Sequence, residues 1–252
     1  MGQAPRLAAI YDIHGNLPAL EAVLTEIRAA EIDEIIVGGD VVPGPMPRET
    51  LDLLLALDPP ARFILGNGDR VVLAQMDGVE PDEVPPPFRD VIRWTAQQLD
   101  SRHGAAVASW PRHFAIEIES LGSVMFCHAT PRNDTEIFTR RTDERRLIPV
   151  FEGVDAGIVV CGHTHMQFDR MVGAKRVVNA GSVGMPFGEP GAYWLQLGPD
   201  VQPRRTPYDL AAAADRIRRT KYPNAEDFAL RNVLQPPSEQ QILDAYAKAE
   251  LH

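Results

Sequence analysis

Carboxylate, amide and imidazole side chains recur in this chain at the ends of apolar runs. "AAIYDIHGN" carries Asp12 and His14, "EIIVGGD" carries Asp40, and "RFILGNGD" carries Asn67 and Asp69. Further on, "VMFCHATPRN" carries His128, and "GIVVCGHTH" carries His163 and His165. A mixed Asp, Asn and His donor set suits borderline divalent metals such as Mn, Fe or Zn, and accommodates Ni. There are more donors than one tetrahedral site uses. Two ions about 3.5–4 Å apart that share a carboxylate would use them all, which is the arrangement of two-metal hydrolases. A single Asp after a strand is ordinarily a turn or helix cap, and a single His is ordinarily a surface or core residue. His103, His113 and His252 are read that way. Five such elements in order, each after an apolar run, are not.

The elements that must position these groups alternate through the first third. Residues 6–12, 34–40 and 61–67 read as buried strands, and 17–30 and 47–57 as helices with apolar residues at helical spacing. Such alternation implies a parallel sheet covered on both faces, and ligands gather outside the carboxyl ends of its strands. In extended backbone, Asp12 and His14, and likewise His163 and His165, would point the same way. Residues 75–90 are acidic and Pro-rich, and 91–110 are helical in pattern, so 75–110 reads as a helical, cap-like insertion. From 113 the strands return, closely spaced enough for antiparallel pairing. Residues 205–252 read as a helical C-terminal extension. The whole of 1–252 is one domain. "LGNGDR" at 65–70 contains a strong hairpin signal in Asn-Gly. Its place in a strand–helix series argues instead for a strand end that delivers Asn67.

Composition bounds the function. The chain has 252 residues, a formal net charge of -10 and 44% hydrophobic residues. It lacks the basic stripe of a broad nucleic-acid surface. No stretch approaches a membrane span or a signal peptide. Cys127 and Cys161 sit in apolar runs and read as free buried thiols, so a reducing cytoplasm is the expected compartment.

The ordered set Asp12-x-His14-Gly15-Asn16, Gly39-Asp40, Gly66-Asn67-x-Asp69, His128 and Gly162-His163-x-His165 resembles the calcineurin-like metallophosphoesterase superfamily. "GDVVPGPMP" and "NAGSVGMP" resemble its prokaryotic branch of small phosphodiesterases and proteins related to diadenosine tetraphosphatases. The resemblance implies a four-layer α/β/β/α sandwich with mixed sheets and a centre of two divalent ions, Mn foremost. It implies that Asp12, His14, Asp40 and His165 hold one ion. Asp40, as the bridge, holds the second with Asn67, His128 and His163. It further implies attack on phosphorus by a hydroxide bridging the ions, with no protein nucleophile. Asp40, Asn67, His128 and Arg132 are the expected catalytic residues, and Asn16, Asn67 and Arg132 the expected substrate contacts. The chain departs from the family pattern at Tyr11, at Pro43 and at Gly68, where many members carry a His that assists the leaving group.

The expected activity is hydrolysis of a small phosphodiester, nucleotide or dinucleoside polyphosphate. A catalytically weak metal-binding sensor or scaffold, and a protein phosphatase, are the alternatives. Asp69 is balanced between capping a helix and serving the site. "RRTDERR" at 140–146 is read as a solvated helix face rather than an anion-attracting patch. Phe88, Trp94 and Trp110 are read as packing residues before stacking platforms. The helical tail could serve a homodimer.

Overall fold

The computed structural model describes residues 6–251, so His252 lies outside the described residues. β1 (Leu7–Ile10), β2 (Glu34–Val37) and β3 (Arg62–Phe63) pair in parallel, joined by α1 (Leu17–Ala29) and α2 (Pro47–Leu55). β9 (Ala192–Leu197) joins the other side of β1 antiparallel, and β10 (Val201–Thr206) completes a sheet of order β10-β9-β1-β2-β3. The second sheet is formed by β4 (His113–Ile118), β5 (Gly122–Cys127), β6 (Ile158–Cys161), β7 (Phe168–Val172) and β8 (Lys175–Asn179), in the order β4-β5-β6-β8-β7. Both sheets are mixed, as expected. The β10 strand lies within a stretch whose sequence gave no strand signal. Pro203 cannot donate to a ladder, and β10 tolerates it because it is an edge strand.

Side-chain alternation along the strands builds the four layers. Ala8, Ile10, Val37 and Trp194 face α1 and α2, with Leu20, Val23, Leu24 and Leu51. Leu7, Ala9, Tyr11, Ile36 and Leu195 face the second sheet, against Val124, Phe126, Val160 and Val178. On the far side, Cys127, Val159, Cys161 and Val177 meet Leu147, Val150 and Phe151 of α6 (Glu144–Phe151). Tyr11, one of the unexpected residues, is fully buried between the sheets. Its hydroxyl donates to Val160 O at 3.2 Å. Its ring fills the space that a side chain at Gly38 would need: a Cβ there would lie 1.9 Å from Tyr11 Cε1.

The 75–110 region is less separate than its sequence suggests. It follows α3 (Asn67–Met76) and forms α4 (Pro86–Gln98) and α5 (Ser101–Ala108). Val84, Ile92, Leu99, Val107 and Trp110 belong to the same core as α1 and β1. Trp110 stacks on Phe63 at 4.7 Å and Trp94 packs edge-on to Tyr222, so both are packing residues. α7 (Leu210–Arg218) and a π-helical turn at Ala229–Leu234 close over Leu17, Met46 and Val91. Three of the four arginines at 140–146 are paired rather than merely solvated. Arg140 pairs with Glu239, Arg141 with Asp244 and Arg146 with Glu250, which ties the C-terminal α8 (Glu239–Tyr246) and the residues after it to the second sheet's side.

The Tyr11–Gly38 complementarity sets a stability test. Tyr11→Ala is expected to cost about 3–5 kcal/mol as an uncollapsed cavity, and Gly38→Ala about 1–3 kcal/mol by overpacking. In urea unfolding, the double variant should lose less than the sum of the two. Strict additivity would show that the contact is not the source of either cost.

Candidate metal centre

Five loops at one end of the two sheets bring the ligand-type residues together. Asp12 and His14 follow β1, Asp40 follows β2, Asn67 opens α3, His128 follows β5, and His163 and His165 follow β6. Asp12, His14 and His165 form one group, and Asp40, His128 and His163 another, with ligand atoms within 4.8 Å of one another in each. The chain turns hard to do this. Asp12, His14, Asp40, His163 and His165 all have positive φ, between 46° and 64°. The expected extended Asp-x-His and His-x-His backbones are therefore wrong. Left-handed residues aim these side chains, at a cost of order 1–3 kcal/mol each that surrounding structure must offset. The loops offset it by bonding to one another: Asp12 N to Gly39 O, His14 N to Asp40 O, Gly15 N to Val41 O, and Gly162 N to His128 O, all at 2.8–3.1 Å.

Backbone carbonyls fix the imidazoles. His14 Nδ1 donates to Pro43 O (3.3 Å), His128 Nδ1 to Gly38 O (3.0 Å) and His165 Nδ1 to Met185 O (2.8 Å). His163 instead uses Nε2 on Thr135 O at 3.2 Å. A carbonyl can only accept, so each contact fixes a proton on that nitrogen and turns the other nitrogen toward the shared space. This is the outer-shell arrangement that orients metal-ligating histidines. His14 Nε2 and His165 Nε2 stand 3.2 Å apart. His128 Nε2 is 3.0 Å from Asn67 Oδ1.

The charges in this space are arranged for cations. Buried Asp12 Oδ1 accepts no hydrogen bond, with His165 Nε2 3.4 Å away. Asp12 Oδ2 accepts from His163 N at 2.8 Å. The Asp12 carboxyl, which burial alone would raise, is held down at about 2, chiefly by His165. Burial pushes the His14 and His163 imidazoles down, His163 to about 4. Burial opposes a proton on His128 and on His165 as well, yet Asp40 and Asp12 hold the first up, and Asp12 the second. Each group of three thus contains one imidazole whose hold on a proton is strengthened by a neighbouring carboxylate. A bare buried carboxylate oxygen and converging ring nitrogens make a place where a metal cation fits. Asp40 lies between the groups, with Oδ2 3.7 Å from His14 Nε2 and Oδ1 3.5 Å from His128 Nε2.

Two expected substrate contacts sit elsewhere. Asn16 is fully buried: its Oδ1 accepts from Ala19 N at the start of α1, and its Nδ2 donates to Gly184 O at 2.9 Å. It has no face left for a substrate, and it fixes the loop after β1. Arg132 places Nε and Nη2 on the Glu136 carboxylate at 3.0 and 2.6 Å. Glu136 is buried and also accepts from Thr130 Oγ1, so this bidentate pair builds the 130–136 loop and leaves Arg132 off the cavity wall. Asp69 is likewise a stitch. Its Oδ1 accepts from Val42 N and its Oδ2 from Gly66 N, both near 3 Å. Burial, with Asp40 nearby, pushes its carboxyl up to about 8.

Gly68 is a packing requirement rather than a bare absence. Its N–H donates to Asp40 Oδ1 at 2.7 Å. A Cβ there would lie 2.6 Å from Val42 O and 2.9 Å from both Asp40 Oδ1 and Pro43 Cδ. The centre opens on a cavity of about 550 Å³ lined by His14, Asp40, Asn67, Gly68 and Thr135. Sequence reasoning missed Arg70 on its wall and Phe187, whose ring stacks on His165 at 5.5 Å. Arg70 directly follows the Gly66–Asp69 motif, a signal that was available. The carbonyls of Pro43, Gly38, Met185 and Thr135 carry no sequence signal at all.

With this geometry in hand, comparison with known proteins is informative. A family profile described as the calcineurin-like phosphoesterase superfamily domain matches residues 6–197. An uncharacterized protein of Methanocaldococcus jannaschii is 28% identical over 242 residues, spanning 86% of this chain and 93% of that one. The crystal structure of a metallophosphoesterase from Sphaerobacter thermophilus aligns with a TM-score of 0.71 at 29% identity, covering 91% of this chain and 98% of that chain. A hypothetical protein from Pyrococcus horikoshii aligns with a TM-score of 0.77 at 20% identity over 92% and 99% of the two chains, a likeness of fold. Loops, ligand-type residues and profile coincide over the same stretch of sequence, and the chain belongs to the calcineurin-like phosphoesterase superfamily.

Proposed function

We propose that this protein is a metal-dependent hydrolase of a small phosphoric ester, most simply a phosphodiester, working with two divalent ions, Mn foremost. One observation carries the reading. Two ligand-type groups drawn from four loops, Asp12, His14 and His165 and Asp40, His128 and His163, meet at the Asp40 carboxylate, which comes within 3.7 Å of an imidazole nitrogen from each and lines a cavity. Asp12, His14, Asp40 and His165 would hold one ion, and Asp40, Asn67, His128 and His163 the other. Bound there, the ions would supply Lewis acidity toward phosphoryl oxygens and a water acidified to near neutral pH. The chain's own part is placement. The backbone carbonyls hold each ring with a lone pair inward, and Asn67 adds a ligand without adding negative charge where an anion must dock. The burial of Cys127 and Cys161, whose thiols are pushed up, withdraws them as nucleophiles.

Three measurements test this. Asp40→Asn should drop bound Mn from about two ions per chain to one or fewer, and lower kcat/KM on a generic phosphodiester by about 10²-fold or more. Full metal content with full turnover would remove Asp40 from the centre. The pH dependence has a definite sign. His128 and His165 keep their protons to higher pH than an ordinary imidazole, so metal must displace them, and binding weakens as pH falls. His14 and His163 are shifted down, His163 to about 4, and compete less. Calorimetry at about pH 6 in buffers of different ionisation enthalpy should therefore show close to two protons released per fully loaded chain. Release of none would contradict the assignment. Finally, Gly68→His, which installs the residue common in the family, should lower thermal stability and metal content rather than raise kcat, because Val42 O and Asp40 Oδ1 occupy the space. A gain in kcat with unchanged stability would show that the loop yields.

A further inference from the structure

The cavity changes character a short way from the metal centre. Its lining joins His14, Asp40 and Asn67 of that centre to Val71, Val84, Phe88, Ile92, Met185 and Phe228. Phe88 is 57% exposed, a large ring left open to solvent at a cavity wall. Exposed apolar surface of this kind, continuous with a concave polar centre, marks a ligand subsite. Among the described residues, Arg70 is the only lysine or arginine on the wall. Its charge is already spent. Nε and Nη2 face Asp134 at 2.7 and 3.1 Å, and Nη1 contacts Glu83. Glu83 is the other half of that pair, and Asp227 pairs with Arg231 Nε at 2.8 Å, so the carboxylates on the same wall are engaged as well. Beyond the metal centre the cavity therefore offers apolar area and no free cation. A second anionic group placed there would lose water and find no free cation to replace it, whereas an apolar group would gain from burial.

We propose that this cavity takes one apolar ester group of a phosphodiester and discriminates against substrates with a second anionic group at that position. A volume of about 550 Å³ accommodates a ring or a branched chain rather than a methyl group alone. This inference rests on the phosphoesterase reading above, and it narrows that reading away from polyphosphate chains that would run along the wall.

The test uses the full, Mn-loaded chain turning over bis(4-nitrophenyl) phosphate. Competing inhibitors are methylphosphonate monoesters, one negative charge each, with methyl, butyl, cyclohexyl or 4-carboxybutyl ester groups. From methyl to cyclohexyl, Ki is expected to fall at least about tenfold, in line with the area buried. The 4-carboxybutyl ester is expected to bind at least about tenfold more weakly than the butyl ester. Phe88→Ala should compress the methyl-to-cyclohexyl ratio to about threefold or less, with Phe88→Leu recovering part of it. Met171→Ala, exposed on β7 and off the cavity wall, should leave the ratio unchanged. Absence of any turnover by the loaded wild type would overturn the phosphoesterase reading itself. Normal turnover with equal Ki across the esters, or with the carboxylate ester binding as well as the butyl ester, would overturn this inference alone.

Discussion

Everything at this site depends on holding Asp12 and Asp40 out of water within reach of four imidazoles. Carboxylates at 0% and 4% exposure are tolerated only when cations compensate them. The carboxylates in turn strengthen the hold of His128 and His165 on a proton. Asp12 Oδ1 remains without a hydrogen bond, and His14 and His165 face each other nitrogen to nitrogen. The polypeptide has been folded around a charge that it does not itself contain.

The backbone holds that geometry open by construction. Five ligand residues sit in the left-handed region, which non-glycine residues occupy reluctantly. They stay there because each loop bonds to its neighbour and because small residues let the loops touch. A Cβ at Gly66 would fall 2.3 Å from Asp40 N, and one at Gly162 would fall 2.4 Å from Asp12 Oδ2. Tyr11 acts from the other side. Its ring packs against Gly38 and Gly162 and its hydroxyl reaches the second sheet, so the seam between the sheets and the metal loops share one side chain. Asp69 closes the set by bonding to the loops that follow β2 and β3 at once. Packing between the sheets and ligand placement are thus one problem here, solved by the same residues.

Much of this was visible in the sequence because ligand identity is a property of single residues. Asp12, His14, Asp40, Asn67, His128, His163 and His165 converge from positions that apolar runs already marked as strand ends. What could not be read was how each side chain is aimed. Extended backbone was the natural expectation for Asp-x-His, but loop-to-loop hydrogen bonds, which are non-local, impose left-handed turns instead. The same blindness misplaced Asn16 and Arg132. Both are polar residues beside a ligand motif, and both are consumed by neighbours that sequence adjacency does not reveal: Gly184, 168 residues away, and a Glu136 whose burial made its pairing compulsory. The strand at 201–206 carries no run of apolar residues, and its Pro203 is tolerated because β10 is a sheet edge. The 75–110 region looked like an insertion by composition, yet its apolar residues complete the first sheet's core.

Charge explains why metal and substrate must be considered together. The chain carries a formal net charge of -10, the cavity lining carries Asp40, and its other charges are paired: Arg70 with Asp134 and Glu83, and Asp227 with Arg231. Unit charges 4 Å apart at an effective dielectric of 20 interact by about 4 kcal/mol, so divalent ions held beside Asp40 would set the sign of the charge at that end of the cavity. On the proposed reading, attraction for the anion would be confined there, and the rest of the cavity would discriminate by shape and apolar contact. A phosphate-clamping arginine such as Arg132 was expected to be would blur that division, because it would hold any anion placed within its reach. Turning Arg132 onto Glu136, and Arg70 onto Asp134 and Glu83, would leave the proposed anion-binding role with the metal centre.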